Sequence, residues 1–349
     1  MEQAIALLKQ LIATPSVSRS EDGTAALLIA HLNEAGIAVE RMHNNVYARS
    51  AHWDDGKPVV MLNSHHDTVK PAASWTRDPF APTIEGDRLY GLGSNDAGAS
   101  VVCLIEAFKH YYNESLPFNL LLVLSAEEEL GGETGIRELL PTLGRIDMAL
   151  VGEPTQLQAA VGERGLVVLD CVAHGRRGHA ARNEGINALY IAIDDINAMR
   201  DYQPEKISSL LGPIKFTATM MECGTQHNVV PDECRWVMDM RTTDAYSNEE
   251  TVELVRARVK SDVKPRSTRL RASAIDESHP LVRAAVALGS TPYISPTTSD
   301  MSHMAFPSLK LGPGDSARSH TADEYILLSE IAAGVDYYTR FIAQLATTI

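Results

Sequence analysis

The chain has few cysteines, and none stands in a Cys-x-x-Cys spacing: Cys103, Cys171, Cys223 and Cys234 are separate, three of them in or beside apolar runs. That excludes a disulfide framework as the organising device and reads as reduced thiols used in cores or strands, as expected of a cytoplasmic protein. No apolar run approaches the roughly 18 residues of a membrane span. Met1 to Leu11 opens on an acid with no apolar stretch after a basic start, so a soluble protein without a signal peptide is expected. Basic clusters are missing as well. Lys and Arg number 31 against 45 Asp and Glu, a formal charge of −14, which leaves phosphate repulsion unopposed and argues against nucleic acid. The same surplus suits a protein that gathers carboxylates around a cation. Gly91-x-Gly93 stops short of the full dinucleotide fingerprint and follows a poor strand, which sets nucleotide binding aside.

At 349 residues the chain exceeds the size at which one core usually stops growing, so two domains are expected. Helical stripes cover residues 2 to 12 and 22 to 35, the second closed by Gly36, and short strands follow around 38–41, 46–48 and 59–63. A Gly-rich turn from Leu89 to Gly98 leads into a helix over 100–112. Asn119 to Ser125 is a near-continuous apolar run, the mark of a strand covered on both faces, and Met148 to Val151 is another. Beyond it the texture becomes antiparallel: strand 165–173, helix 185–199, strands 214–221 and 233–240, and helix 248–259. The C-terminal part returns to the first texture with helix 281–288, strand 308–311 and a long closing helix over 324–345. The expected fold is α/β, a mainly parallel-sheet domain with helices on both faces formed by residues 1–162 and 277–349. A two-layer α+β unit is inserted over 163–276.

Chemistry-bearing residues cluster at strand exits. In extended backbone side chains at i and i+2 share a face, so His65 and Asp67 point the same way, and a carboxylate beside an imidazole can select the nitrogen left free for a metal. Glu127-Glu128-Glu129 is delivered to the C-terminal end of the 119–125 strand, where α/β sheets place their sites, and three adjacent acids there are costly without a cation. Asp96 ends the Gly-rich turn, Glu153 follows the 148–151 strand, and His320 lies in a late glycine-rich loop. Taken singly, each has a plainer reading as a strand end, a solvated acidic turn or a surface histidine. Their shared placement is what gives them weight.

The motifs Ser64-His65-His66-Asp67, Asn95-Asp96, Glu127-Glu128-Glu129-x-Gly131, Gly152-Glu153-Pro154-Thr155, and Gly312-Pro313-Gly314 leading to His320 resemble, in order and over essentially the whole chain, those of the co-catalytic dizinc aminoacylase and carboxypeptidase family. That group includes acetylornithine deacetylase, succinyl-diaminopimelate desuccinylase and several dipeptidases. The resemblance implies that Asp96 bridges two divalent ions, with His65 and Glu153 completing one and Glu129 and His320 the other. Asp67 would orient His65 and Glu128 would be the general base, with Glu127 a spectator; His66, which points away from His65 in a strand, is expected to have a structural role. Mixed imidazole and carboxylate donors suit Zn²⁺ and leave Co²⁺ and Mn²⁺ open.

The resemblance also makes the inserted unit a lid and dimerisation domain of a homodimer. Its His179 would reach the scissile carbonyl, in its own or the partner's site. Asn228 and Arg241 would hold the substrate, although Arg241 can instead pair with Asp239 on its own strand. Gly312 and Gly314 would offer backbone N–H groups to a substrate carboxylate. Asp96 is followed by Ala97-Gly98-Ala99, where the family often has Met-Lys-Gly, so contacts made by that lysine are lost here. The implied activity is hydrolysis of an N-acyl amino acid: N-acetylornithine first, then N-acetylcitrulline, N-succinylornithine or N-acetyllysine. Succinyl-diaminopimelate desuccinylation and dipeptide cleavage are the enzymatic alternatives, and a catalytically silent metal- or ligand-binding relative is the other class.

Overall fold

The computed structural model describes residues 1–182 and 184–349. The chain divides into two compact units, one of Met1–Val161, Ile275–Tyr293 and Ser299–Ile349, the other of Gly162–Ala274 with Ile294–Thr298.

The sheet of the first unit runs in the order Glu40–Met42, Asn45–Arg49, Asn119–Ser125, Val59–His65, Met148–Val151, Ser308–Lys310, Ala159–Glu163. Its four central strands are parallel and every residue in them is buried, as expected of strands covered on both sides. Val59, Met61, Leu121, Val123, Ala149 and Val151 form one apolar face with Ile136 and Leu139. By alternation Val60, Leu62, Leu120 and Leu122 face the other side, where the Ala99–Tyr111 helix packs. Parallel strands put all four C-terminal ends on one edge, so residues far apart in sequence arrive together.

The last helix is shorter than the apolar periodicity suggests. It covers Leu328–Ala346, because Tyr325–Leu327 pairs with Arg88–Tyr90, which in turn pairs with Thr83–Glu85. This small antiparallel sheet has no clear signal in the sequence, since each of its strands is three residues long.

The second unit is a four-stranded antiparallel sheet in the order Lys215–Cys223, Glu233–Thr242, Gly165–His174, Asp262–Pro265. Inward residues Val167, Leu169, Cys171, Trp236, Met238 and Met240 pack against Ala188, Ala192 and Met199 of one helix and Val252 and Val255 of another, giving two layers. The first of these helices starts at Ala188 rather than near Gly185, with Asn187 as N-cap accepting from the Leu189 N–H at 2.9 Å. Gly185 has φ +89° and belongs to the preceding loop. The edge strand Lys215–Cys223 is exposed along most of its length.

Candidate metal centre

Each central strand of the first unit hands over one part of the site. Val59–His65 ends on His65, whose ring is 1 % exposed. Its Nδ1 meets two acceptors of Asp67, the backbone carbonyl at 3.1 Å and the carboxylate Oδ1 at 3.4 Å. A carbonyl oxygen only accepts, so Nδ1 carries a proton and Nε2 is the nitrogen left to face the acids. Nε2 faces Asp96 Oδ1 at 3.2 Å and Glu153 Oε1 at 3.7 Å. Lone pairs aimed at one another at this range are repulsive unless a cation, proton or metal, lies among them.

The Asp67 carboxylate does more than orient a ring. It accepts from the backbone N–H of Glu128 (3.1 Å), the backbone N–H of Glu129 (3.2 Å) and the hydroxyl of Ser18 (2.7 Å); burial would raise its pKa, but the His65 ring, with the Ser18 hydroxyl, holds it below the usual carboxylate range. One buried acid therefore fixes both the His65 ring and the turn that carries the three glutamates.

Asp96 sits between two imidazoles. Its Oδ1 faces His65, and its Oδ2 lies 3.6 Å from His320 Nε2. His320 also bonds to Glu129 Oε2 at 2.8 Å, which with the Asp96 charge pushes its pKa up to about 9. One ligand atom each of His65, Asp96 and Glu129 lie within 4.8 Å of one another. The structure thus brings His65, Asp67, Asp96, Glu128, Glu129, Glu153 and His320 to one place. Burial raises the pKa values of Glu128, Glu129 and Glu153, the last to about 8, with neighbouring acids adding to the effect. A set of acids that resist ionising together, interleaved with two imidazoles, has the donor chemistry of a divalent-cation site.

Two neighbours of the glutamates and His65 face elsewhere. Glu127 adopts left-handed backbone at φ 58° and accepts from the Thr134 hydroxyl, and His66 has its ring nitrogens engaged by Thr24 Oγ1 and the Asn44 carbonyl, both at 2.9 Å.

Two residues at the site, Glu324 and Asp300, are not singled out by sequence reasoning, and a third, Asn95, stands in a quoted motif without a role of its own. Glu324, 2 % exposed, accepts from the backbone N–H groups of Gly93, Asn95 and Asp96 at 3.1, 2.8 and 3.0 Å and so holds the Asp96 loop. Burial nevertheless pushes its pKa up to about 8. Asn95 exchanges hydrogen bonds with the Asp315 backbone at 3.0 and 3.1 Å, tying that loop to the one carrying His320. Asp300, buried, accepts from Ser125 Oγ at 2.5 Å, and burial raises its pKa to about 6. Nothing in the local pattern around Asp300 or Glu324 marks them as buried.

The expectation for Gly312 needs correction. The Gly312 N–H donates to Thr155 Oγ1 at 3.0 Å and has no bond to spare for a substrate. Gly314, at φ +90°, is required because a Cβ there would lie 2.5 Å from Asn95 Oδ1. In the second unit Arg241 spends its guanidinium on Asp239 at 2.9 and 3.2 Å, the plainer of its two readings. His179 and Asn228 lie together there: His179 pairs with Val229, and the Ala180 N–H donates to the Asn228 carbonyl at 3.0 Å.

Residues 61–344 match the family model described as peptidase family M20/M25/M40. The chain belongs to this family. Its members include the desuccinylase group to which the sequence motifs pointed, and M20 proteins hydrolyse amide bonds. The chain is 29 % identical over 272 residues to a succinyl-diaminopimelate desuccinylase of Paracoccus denitrificans, covering 72 % of this chain and 70 % of that protein. It is 24 % identical over 385 residues to one of Delftia acidovorans, covering 99 % and 98 %. Among solved M20 structures it resembles the metallo-carboxypeptidase Sso-CP2 of Sulfolobus solfataricus (TM-score 0.77, 18 % identity, 99 % and 100 % covered). It also resembles the YXEP protein of Bacillus subtilis, described as a dinuclear metal binding peptidase (TM-score 0.74, 16 % identity, 100 % and 99 % covered). These likenesses bear out the α/β fold with a separate antiparallel unit. They give no specific support to the acetylornithine expectation and favour its desuccinylase alternative. Among the described residues no helix is long and apolar enough to cross a membrane.

Two expected results arise from this geometry. The raised acids ionise only above their unfolded values near 4.5, so the stability they lend a metal-free protein is full below that pH. It is lost as pH rises through the folded values, about 8 for Glu153 and Glu324. His320, raised to about 9, acts in the same direction. The melting temperature of chelator-treated protein is therefore expected to fall from about pH 5 to about pH 9, and that of the metal-loaded protein to change little. A flat or rising curve for the chelated form would contradict this. Secondly, Glu324→Gln removes one accepting oxygen from the Asp96 loop and is expected to weaken divalent-metal affinity about 10–100-fold with little change in circular dichroism. Unchanged affinity by calorimetry would show that the loop holds itself.

Proposed function

We propose that the protein is a two-metal hydrolase of the amide bond of N-acyl amino acids, with an N-succinyl amino acid of the diaminopimelate type as its substrate. The observation that carries this reading is Asp96, whose two oxygens face different imidazoles, at 3.2 Å from His65 and 3.6 Å from His320. In this reading His65, Asp96 and Glu153 hold one cation, and Asp96, Glu129 and His320 hold the other. Two divalent cations, which the donor set suits as zinc without excluding cobalt or manganese, would when bound supply a Lewis acid for the acyl carbonyl and lower the pKa of a nearby water. Glu128, which bonds to neither imidazole, takes the proton from that water and returns it to the departing amine. Asp67 keeps the Glu128 and Glu129 amides in register with His65. His179 donates to the developing oxyanion, and Asn228 contacts the substrate.

Residues 1–162 and 277–349 act as the catalytic domain and 163–276 as a lid through which a cytoplasmic homodimer forms. Support for the dimer comes from the open edge strand Lys215–Cys223, where Met220 and Met221 are 65 % and 43 % exposed. The name carried by the relatives supports the succinyl group.

The test is a panel of N-succinyl-diaminopimelate, N-acetylornithine and a dipeptide, with metal content measured on the same preparation. Succinyl cleavage at least about tenfold more efficient than the others, about 1.4 kcal/mol in transition-state binding, is expected. A preference for the acetyl substrate would move the protein to the ornithine branch. Activity in a preparation free of divalent metal would end the reading.

A further inference from the structure

Cys223 and Cys234 are direct partners across two antiparallel strands of the second unit. Residues so opposed have Cα atoms about 4.5–5.5 Å apart, inside the window of about 4.4–6.8 Å that a disulfide spans. Both are free thiols. The Cys223 thiol donates to the Glu233 carbonyl at 3.4 Å, which turns its sulfur across the gap toward the residue next to Cys234. Exposure divides their roles. Cys234 is buried in the core of its unit, and that burial, with Cys223 beside it, pushes its thiol up to about 12. Cys223 is half-exposed and is the one an oxidant meets.

The chain between them is not an idle turn. Val229 and Val230 pair with His179 and Gly178. The Gly175 and Ala188 N–H groups donate to the carbonyls of Asp232 and Pro231 at 2.7 and 3.0 Å. Loop 224–232 therefore sets the position of the segment that carries His179, and the two cysteines stand at its two feet.

We propose that Cys223 and Cys234 form a reversible disulfide that clamps loop 224–232 and, through it, the His179 segment. With a peroxide as oxidant, Cys223 sulfur attacks the O–O bond, forming S–O and releasing one water. Cys234 sulfur then attacks the sulfenic sulfur, forming S–S and releasing the second water. Two thiols lose two hydrogens and two electrons, and one peroxide becomes two waters.

The test needs no assay of hydrolysis, so it stands apart from the reading of function. Reduced full-length protein is treated with hydrogen peroxide, alkylated in denaturant and digested with trypsin. No Lys or Arg lies between Phe216 and Cys234, so both cysteines fall in the peptide 216–235. That peptide is expected to be two hydrogens lighter, to take no alkyl group, and to take two after reduction. Amide exchange over 224–232 and 178–180 is expected to slow about tenfold on oxidation and to recover with a dithiol. Cys223→Ser, at the half-exposed position, should leave the exchange pattern indifferent to peroxide. Two alkyl groups after peroxide, oxygen addition at sulfur in place of the link, or a linked peptide with unchanged exchange would each overturn the proposal.

Discussion

Glu128→Gln is expected to lower turnover about 10²–10⁴-fold while leaving metal content and melting temperature close to those of the parent protein. The separation follows from the geometry. Glu129 bonds His320 at 2.8 Å and belongs with the candidate ligands, whereas the part of Glu128 that the neighbouring site holds is its backbone N–H, bonded to Asp67 at 3.1 Å. Gln keeps that backbone and nearly the same volume and loses only the capacity to take a proton. Retained turnover in Glu128→Gln would remove the residue from proton transfer, and loss of metal together with turnover would make it a ligand.

Asp96→Ala should act in the opposite way. Activity falls to background, and affinity for divalent metal weakens by more than about a hundredfold, since this change removes a candidate ligand itself whereas loss of a residue supporting one costs about 10–100-fold. Calorimetry on protein stripped and reloaded with zinc distinguishes the outcomes: two sites in the parent protein, and at most one weak site in the variant. A variant that still bound two equivalents tightly would show that Asp96 does not bridge. Alanine also relieves the crowding of acids, so the metal-free variant should melt higher than the metal-free parent at pH values near 8, where Glu153 is pressed to ionise beside it.

How much of this could be read before the structure depends on the length scale of each feature. The buried strand Asn119–Ser125 announces itself by composition, and a parallel sheet then requires that the residues after its strands share an edge, which is why His65, Glu128, Glu129, Glu153 and His320 were legible as a group. The supports were not. Glu324 and Asp300 each act through a single buried carboxylate whose partners lie far away in sequence, Glu324 on the amides of Gly93, Asn95 and Asp96 and Asp300 on Ser125. No periodicity marks such residues. Gly312 and Gly314 were legible as glycines of consequence, but whether the Gly312 N–H is free for a substrate is decided by a neighbour far away in sequence, Thr155. Arg241 shows the same limit, because a partner two residues away on the strand satisfies its fork.

The strand Ser308–Lys310 lies parallel to Met148–Val151, although the whole second unit is synthesised between them. During synthesis the N-terminal portion emerges with His65, Asp96, Glu128, Glu129 and Glu153 already made, while the strand that ushers in His320 is still to come. Four of the five candidate donors thus wait, charged and unshielded, for a late arrival. Forming that pairing closes a very long loop, a slow event, and a cation caught by the early candidate ligands would favour completing it. Refolding from denaturant with and without zinc is the measurement that reads this: a higher native yield with the metal present is the expected result.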